Sequence, residues 1–427
     1  MFDLKTACFA AQEEAVRHRR YLHEHPELSG HEKNTVRYIC AQLEKAGIGY
    51  RVIPNGGVLA SITGKKDGKT VLLRADCDAL PIEESARNGG GQKKACRSEI
   101  SGAAHMCGHD VHTAMLLTAG RILQEQRAEL EGTVLLLFER GEEGARCIYY
   151  VLEYLQKNNI HIDGCWANHV VADLPVGDVA VQGGETNAAV FEFSVTLHGK
   201  GGHASRPDRA ANPIDCFTAI AADLRGYAMQ HTSPFEPLTH CISFVHAGTV
   251  SNVIASELTF GGTCRFFRTD AGRGFEAYLQ SCVARCCEQY GCTAEYPVFH
   301  ETYLPTICSE PMAEFGRKVI GAQLGGEHII PRGKAMGSES YGVLCAYYPS
   351  VTAKVGIRSE QLGCTASVHT PEFDVDESAM PYGIIMYVAY ALEFLRQRPE
   401  DKSFKPFGGT IQELFQSMHC EIPEQFD

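Results

Sequence analysis

Three short apolar runs constrain the fold of this chain more than any other feature. TVLLRAD (70–76), GTVLLLFERGEEG (132–144) and DGCWANHV (163–170) each read as a buried strand, and each ends on charged or metal-ligating side chains. Helix-like stretches over 113–129 and 147–157 follow the first two. That alternation predicts an α/β fold, with a mixed, mainly parallel sheet flanked by helices. In such sheets ligands bind in the crevice at the carboxyl ends of the strands. Two helices precede the first run. One covers 3–25, with Leu4, Ala7, Cys8, Ala11 and Ala15 at helical spacing before Pro26; the other covers 32–46 and stops at Gly47.

The texture changes near residue 185. Segments such as FEFSVTLHG and SELTFGGTCRFF alternate apolar and polar residues, as half-exposed strands do. With two helices among them, the order is strand, helix, strand, strand, helix, strand, an α+β module with an open sheet. A chain of 427 residues exceeds one ordinary core. We therefore expect a first domain built from 1–185 and 300–427, completed by two apolar helices near the end, and an inserted ferredoxin-like lid or dimerisation domain over 186–299. The segment from Pro399 onward is polar and is expected to be partly ordered. No internal repeat or low-complexity tract appears.

Chemistry concentrates in HMCGHDVH (105–112), where eight residues hold three imidazoles, a thiol and a carboxylate. Histidine and cysteine bind zinc-like ions well, and Gly108 allows a turn that aims Cys107 and His109 at one ion. Partners come from other predicted strand ends and loops: Asp76 and Asp78 in RADCDALP, Glu142 and Glu143 in FERGEEG, His169, and His369 in SVHTPEFD. Adjacent glutamates cannot easily serve one ion in the same way. One can ligate while the other faces water as a general base. A cysteine nucleophile at Cys107 with His109 as base is the competing chemistry.

The net charge of −13 argues against nucleic acid or an anionic membrane as partner. No run of about 18 apolar residues stands out, so no membrane span is expected. The opening segment lacks the apolar core of a secretory signal. The 18 cysteines are scattered, with no CxxC pair, which reads as free buried thiols in a reducing cytoplasm.

In its motifs the chain resembles the aminoacylase, hippurate hydrolase and carboxypeptidase-G family of co-catalytic metallopeptidases, in the branch with a cysteine ligand. RRYLHEHPELSGHE, LLRADCDALPIEE, HMCGHDVHT, FERGEEG, HVVADLPVGDV, GKGGHASRPDRAANPID, SNVIASELTFGGTCRFF, MGSESYG and HTPEF occur in the family's order across 19–390. The resemblance implies two divalent metal ions per subunit, Zn2+ or Mn2+, with Co2+ or Ni2+ admitted by the ligand set. It implies Cys107, His109, Glu143, His169 and His369 as ligands and Glu142 as general base. Asp76 and Asp78, with Asp110 and His112 as further candidates, would orient the ligand histidines. His203 would donate to the oxyanion, and Asn252 and Arg265 would hold the substrate carboxylate. In dimeric relatives the histidine matching His203 serves the neighbouring subunit's site, so a homodimer through the inserted domain is expected. The implied substrate is an N-acyl amino acid or a small peptide-like amide.

Several features depart from the family pattern. Glu139, Arg140 and Gly141 replace a glutamine-proline-alanine run before the paired glutamates. Ser340 replaces an acid, SNVIAS lacks a proline, and the 85–104 loop is longer and more basic. An altered member that binds metal or amino-acid derivatives without hydrolysis is the alternative these departures raise. His23, His25 and His31 imitate a metal cluster but are expected in scaffold. His161, His231, His240 and His246 have no ligand company, and Trp166 reads as packing.

Overall fold

The apolar runs lie side by side in one seven-stranded sheet, in a computed structural model that describes residues 3–425. Its order is Gly49–Ile53, Gly57–Thr63, Glu131–Glu139, Lys66–Asp76, Gly164–Pro175, Ser350–Arg358 and Val179–Val181. The four strands from Glu131–Glu139 to Ser350–Arg358 are mutually parallel, and antiparallel strands close both edges. Helices cover both faces, so Val71, Leu72, Leu73, Leu136, Leu137 and Trp166 are all buried. Burial on two faces is why these strands read as unbroken apolar runs rather than alternating ones. The class is α/β, as expected.

One layer contains His109–Glu125 and Met380–Gln397, packed with the N-terminal helices; the other contains Ile148–Lys157 and Tyr341–Tyr347. The stretch Glu377–Gln397 is long and apolar enough to cross a membrane by length and composition alone. Within its most apolar window 78% is buried inside the protein, which makes it the core helix of its layer.

Several boundaries differ from expectation. The N-terminal helix breaks at Ala11 into Leu4–Ala10 and Gln12–Glu24. The helix expected from residue 113 starts at His109 and ends at Glu125. The strand expected to end near His169 runs on to Pro175, because it pairs with Ser350–Arg358 as far as Arg358. The C-terminal segment forms a helix, Ile411–Ser417, with a capping box between Thr410 and Glu413. Its Ile411, Leu414 and Phe415 are buried with Tyr149 and Leu152.

A second sheet has the order Leu238–Ala247, Glu257–Phe266, Ala189–His198, Thr293–Tyr303, with every pair antiparallel. Pro213–Arg225 and Thr269–Tyr290 cover one face, where Phe191, Phe193, Val195 and Leu197 meet Ile220, Phe275 and Leu279. Strand alternation sends Val190, Glu192 and Arg265 to the opposite, helix-free face.

Candidate metal centre

A positive φ of 87° at Gly108 builds the turn between Cys107 and His109. A Cβ there would lie 2.4 Å from Val170 Cγ2, so glycine is required by both conformation and space. The turn leaves Cys107 just ahead of the helix and makes His109 its first residue.

Asp78 ties two elements together. Its Oδ1 accepts from His109 Nδ1 at 2.9 Å, and its Oδ2 accepts from the Glu143 amide at 2.8 Å. His109 Nε2 is then left buried with no hydrogen-bond partner, and so is Glu143 Oε1, 3.8 Å away. His169 Nδ1 donates to the Val170 carbonyl at 2.7 Å, which turns its Nε2 toward Cys107 Sγ at 3.6 Å. His369 adopts φ 63° and brings its Nε2 to 3.1 Å from Glu143 Oε1. Four overlapping trios result, each with ligand atoms within 4.8 Å of one another: Cys107, His109, His169; Asp76, His109, His112; Cys107, Glu143, His369; and His109, Glu142, Glu143.

This donor set fits divalent cations. Buried imidazole, thiol and carboxylate atoms converge here with few hydrogen bonds, which costs free energy unless a cation joins them. Burial pushes the Cys107 thiol well up, so a thiolate there calls for a compensating positive charge. Burial, and then the charge of Glu143, push the Glu142 carboxyl well above the usual range, while its Oε1 accepts from the Ser340 amide at 2.9 Å.

His112 stands behind the cluster. Its Nδ1 meets Asp76 Oδ1 at 2.6 Å and its Nε2 accepts from the Val170 amide at 2.9 Å, so both nitrogens are engaged by protein. Asp110 turns away from the cluster, to Arg19 at 2.8 Å and His23 at 2.8 Å. His23 bridges on to Glu84 at 3.1 Å, which accounts for that imidazole as part of a buried ionic scaffold. His105 is buried with neither ring nitrogen partnered and lies outside all four trios.

The altered residues before the paired glutamates are absorbed by the interior. Arg74 donates to Glu139 at 2.7 Å, Asp76 at 2.6 Å and Ser340 at 2.8 Å, and Ser340 Oγ donates to Glu139 at 2.6 Å. Arg140 runs the other way, to Glu32 at 2.8 Å and the Gly30 carbonyl at 2.7 Å. Both charges are thus tied into buried ion pairs.

The cluster opens into a cleft of about 950 Å³ between the strand ends of the first sheet and the helix-free face of the second. Arg265 lines it and donates to the Met336 carbonyl at 2.9 Å. His203 and Asn252 do not line it. They sit together on an exposed ribbon, with His203 opposite Val253 and the Ala204 amide donating to Asn252 O at 3.1 Å. Sequence reasoning missed Arg146, His300, Thr302 and Arg332, which also line the cleft. The available signals were Arg146 close behind Glu143, and His300 and Thr302 alternating on one strand.

Known proteins resemble this chain in sequence and fold. The family model described as peptidase family M20/M25/M40 matches residues 72–393. IAA-amino acid hydrolase ILR1-like 2 of Arabidopsis thaliana is 32% identical over 397 residues, covering 92% of this chain and 88% of its own. N-acetylcysteine deacetylase of Bacillus subtilis is 32% identical over 364 residues, covering 85% and 92%. The crystal structure of a Bacillus subtilis protein titled a dinuclear metal binding peptidase from the M20 family superposes with a TM-score of 0.74. It is 27% identical and covers 91% of this chain and 99% of its own.

Proposed function

The chain belongs to peptidase family M20/M25/M40, and from that membership we propose that it is a metal-dependent amidohydrolase cleaving N-acyl amino acids or related small peptide-like amides. The observation that carries the reading is the convergence of buried His109 Nε2, which makes no hydrogen bond, and Glu143 Oε1, met by His369 Nε2 at 3.1 Å, with Cys107 and His169, beside Glu142. Cys107, His109, Glu143, His169 and His369 would hold two divalent cations, with Zn2+ or Mn2+ best suited to one thiolate among nitrogen and oxygen donors. When bound, such ions polarise the scissile carbonyl and acidify water.

The chain's own residues do the rest. Glu142, with its carboxyl aimed by the Ser340 amide, takes the proton of the attacking water and passes it to the leaving nitrogen. Asp78 holds His109 and the Glu143 backbone in register. Arg265 receives the carboxylate of the amino-acid part. His203 and Asn252, outside this protomer's cleft, act in the cleft of a second copy, where His203 donates to the oxyanion. Deacylation is favoured over dipeptide cleavage, since two relatives carry names that describe release of an acyl group from an amino acid. The altered Glu139 flank gives little support to a non-hydrolytic reading, because Glu139 is neutralised by Arg74 and Ser340 away from the cleft.

The test is amine release from a panel of N-acyl amino acids and dipeptides, before and after chelation and reconstitution with Mn2+ or Zn2+. Activity should vanish on chelation and return with metal. Glu142→Gln should keep its metal and lose about 10²–10⁴-fold in kcat. Metal-loaded protein that releases no amine from any of these would defeat the reading. Activity that survives chelation would reinstate Cys107 as a nucleophile.

A further inference from the structure

We propose that Arg146, His300 and Thr302 form a second polar subsite in this cleft that takes a carboxylate at the acyl end of the substrate, so that half-amides of dicarboxylic acids with amino acids are preferred. The inference rests on the amidohydrolase reading and names its substrate class.

Three cleft-lining atoms on this wall are buried with no hydrogen-bond partner: Arg146 Nη1, His300 Nδ1 and Thr302 Oγ1. Protein interiors rarely leave such groups unpaired, and three on one wall mark a place where a polar group of a ligand belongs. Arg146 also has φ 51°, a left-handed conformation uncommon for residues other than glycine. Such strain persists where surrounding structure imposes it, and it clusters at binding sites. His300 and Thr302 follow from the strand Thr293–Tyr303. Its register shifts between Glu301 and Tyr303, and that bulge lets His300, Thr302 and Tyr303 all reach the cleft.

The chemistry of the three groups selects an anion. A guanidinium is charged at every relevant pH and matches a carboxylate with two parallel N–H donors. Among the described residues no carboxylate lies within the 4.0 Å of an ion pair with Arg146. Burial, and then Arg146 itself, hold His300 below its ordinary pKa, so the ring is neutral and can offer one N–H. The Thr302 hydroxyl supplies another donor. Glu192, opposite His300 on the neighbouring strand, lines this wall, and the charge of Glu421 also reaches His300, so an ammonium-ended acyl group is the rival occupant.

The spacing separates this wall from Arg265. Arg265 is paired with Val190 and Val190 with Tyr303, whereas His300 is paired with Glu192. The two anchors are thus two strands apart and one same-face step along, roughly 10–12 Å between α-carbons. Val190 lies on the strand between them, and Tyr303, on the strand of His300, donates its hydroxyl to the Glu142 carbonyl oxygen. A half-amide with two or three carbons between its carbonyl groups, one end at each anchor, would carry its amide over Glu142 and Glu143.

The experiment compares kcat/KM on metal-reconstituted protein for matched pairs that differ by one carboxylate: N-succinyl against N-butanoyl derivatives of the same amino acids, and N-glutaryl against N-pentanoyl. Wild type should favour the dicarboxylic member by at least about tenfold. Arg146→Met should bring the ratio close to unity and Arg146→Lys should leave it intermediate. Thr302→Val, which touches no charge, should reduce the ratio several-fold and guards against a folding defect in the arginine variants. A wild-type ratio at or below unity, or one that both Arg146→Met and Thr302→Val leave unchanged, overturns the subsite while leaving the hydrolase reading intact. Faster turnover of β-alanyl than of butanoyl substrates assigns the wall to Glu192 and also overturns it. If nothing is hydrolysed, the hydrolase reading fails, and calorimetric binding of the same pairs to metal-loaded wild type and Arg146→Met decides the subsite by the same ratio.

Discussion

Asp78 illustrates how much one side chain does here. Each of its oxygens is committed, one to the imidazole of His109 and one to the backbone of Glu143. Asp78→Asn keeps the shape but replaces one acceptor with a donor. The expected outcome is a roughly 10–100-fold loss of metal affinity, read by competition with a chromophoric chelator, with circular dichroism unchanged and activity regained at excess metal. Unchanged affinity would mean that Asp78 does not hold the ligands. That Asp78 orients a ligand histidine was implied by the family resemblance; its bond to the Glu143 amide was not legible, because backbone donors carry no sequence signature. The same limit hid the relation between Glu139 and Ser340. Each stands out alone as a departure, and only the fold brings them onto Arg74 together.

At the scale of elements, apolar runs located the strands correctly because burial on two faces leaves an unmistakable pattern. Ends were less legible. The helix that carries His109 starts there because Gly108 turns the chain into it, although a polar HDVH opening resembles a loop. The strand through His169 outlasts its apolar run because pairing continues with Ser350–Arg358. Thr293–Tyr303 carries a further consequence. While His300 and Thr302 face the cleft, Glu301 is 3% exposed, and its amide donates to the Met418 carbonyl in the C-terminal segment at 3.0 Å. Burial pushes its carboxyl up to about 7, with Arg273 pulling it down and Glu276 pushing it up. The folded state therefore holds this proton more tightly than the unfolded chain. Stability contributed by the protonated acid is fully present below the ordinary glutamate value and is lost as pH rises toward about 7. Glu301→Gln, neutral throughout, should match wild type near pH 4 and exceed it above pH 7 by about 1–3 kcal/mol. Thermal unfolding across that range checks this: a Tm difference of a few degrees should open between the two limits. A difference independent of pH would show that Glu301 ionises normally.

For the whole molecule, the cleft needs both sheets. Its floor comes from the strand ends of the first and its roof from the bare face of the second, while His203 and Asn252 lie on an exposed ribbon outside it. Two-fold pairing of copies would let each ribbon complete the other's cleft, an arrangement in which neither subunit is competent alone. Mixing two inactive variants tests this without any structure of the assembly. Glu142→Gln damages the cleft of the subunit that carries it; His203→Ala damages the cleft of the subunit beside it. In a mixed dimer one cleft then carries both defects and the other carries neither. Random exchange of equal amounts should therefore restore about a quarter of wild-type activity per cleft, and light scattering should report a dimer throughout. If His203 served its own subunit, every cleft in a mixed dimer would keep one defect and no activity would return. A monomer by light scattering with full wild-type activity would sink the arrangement outright.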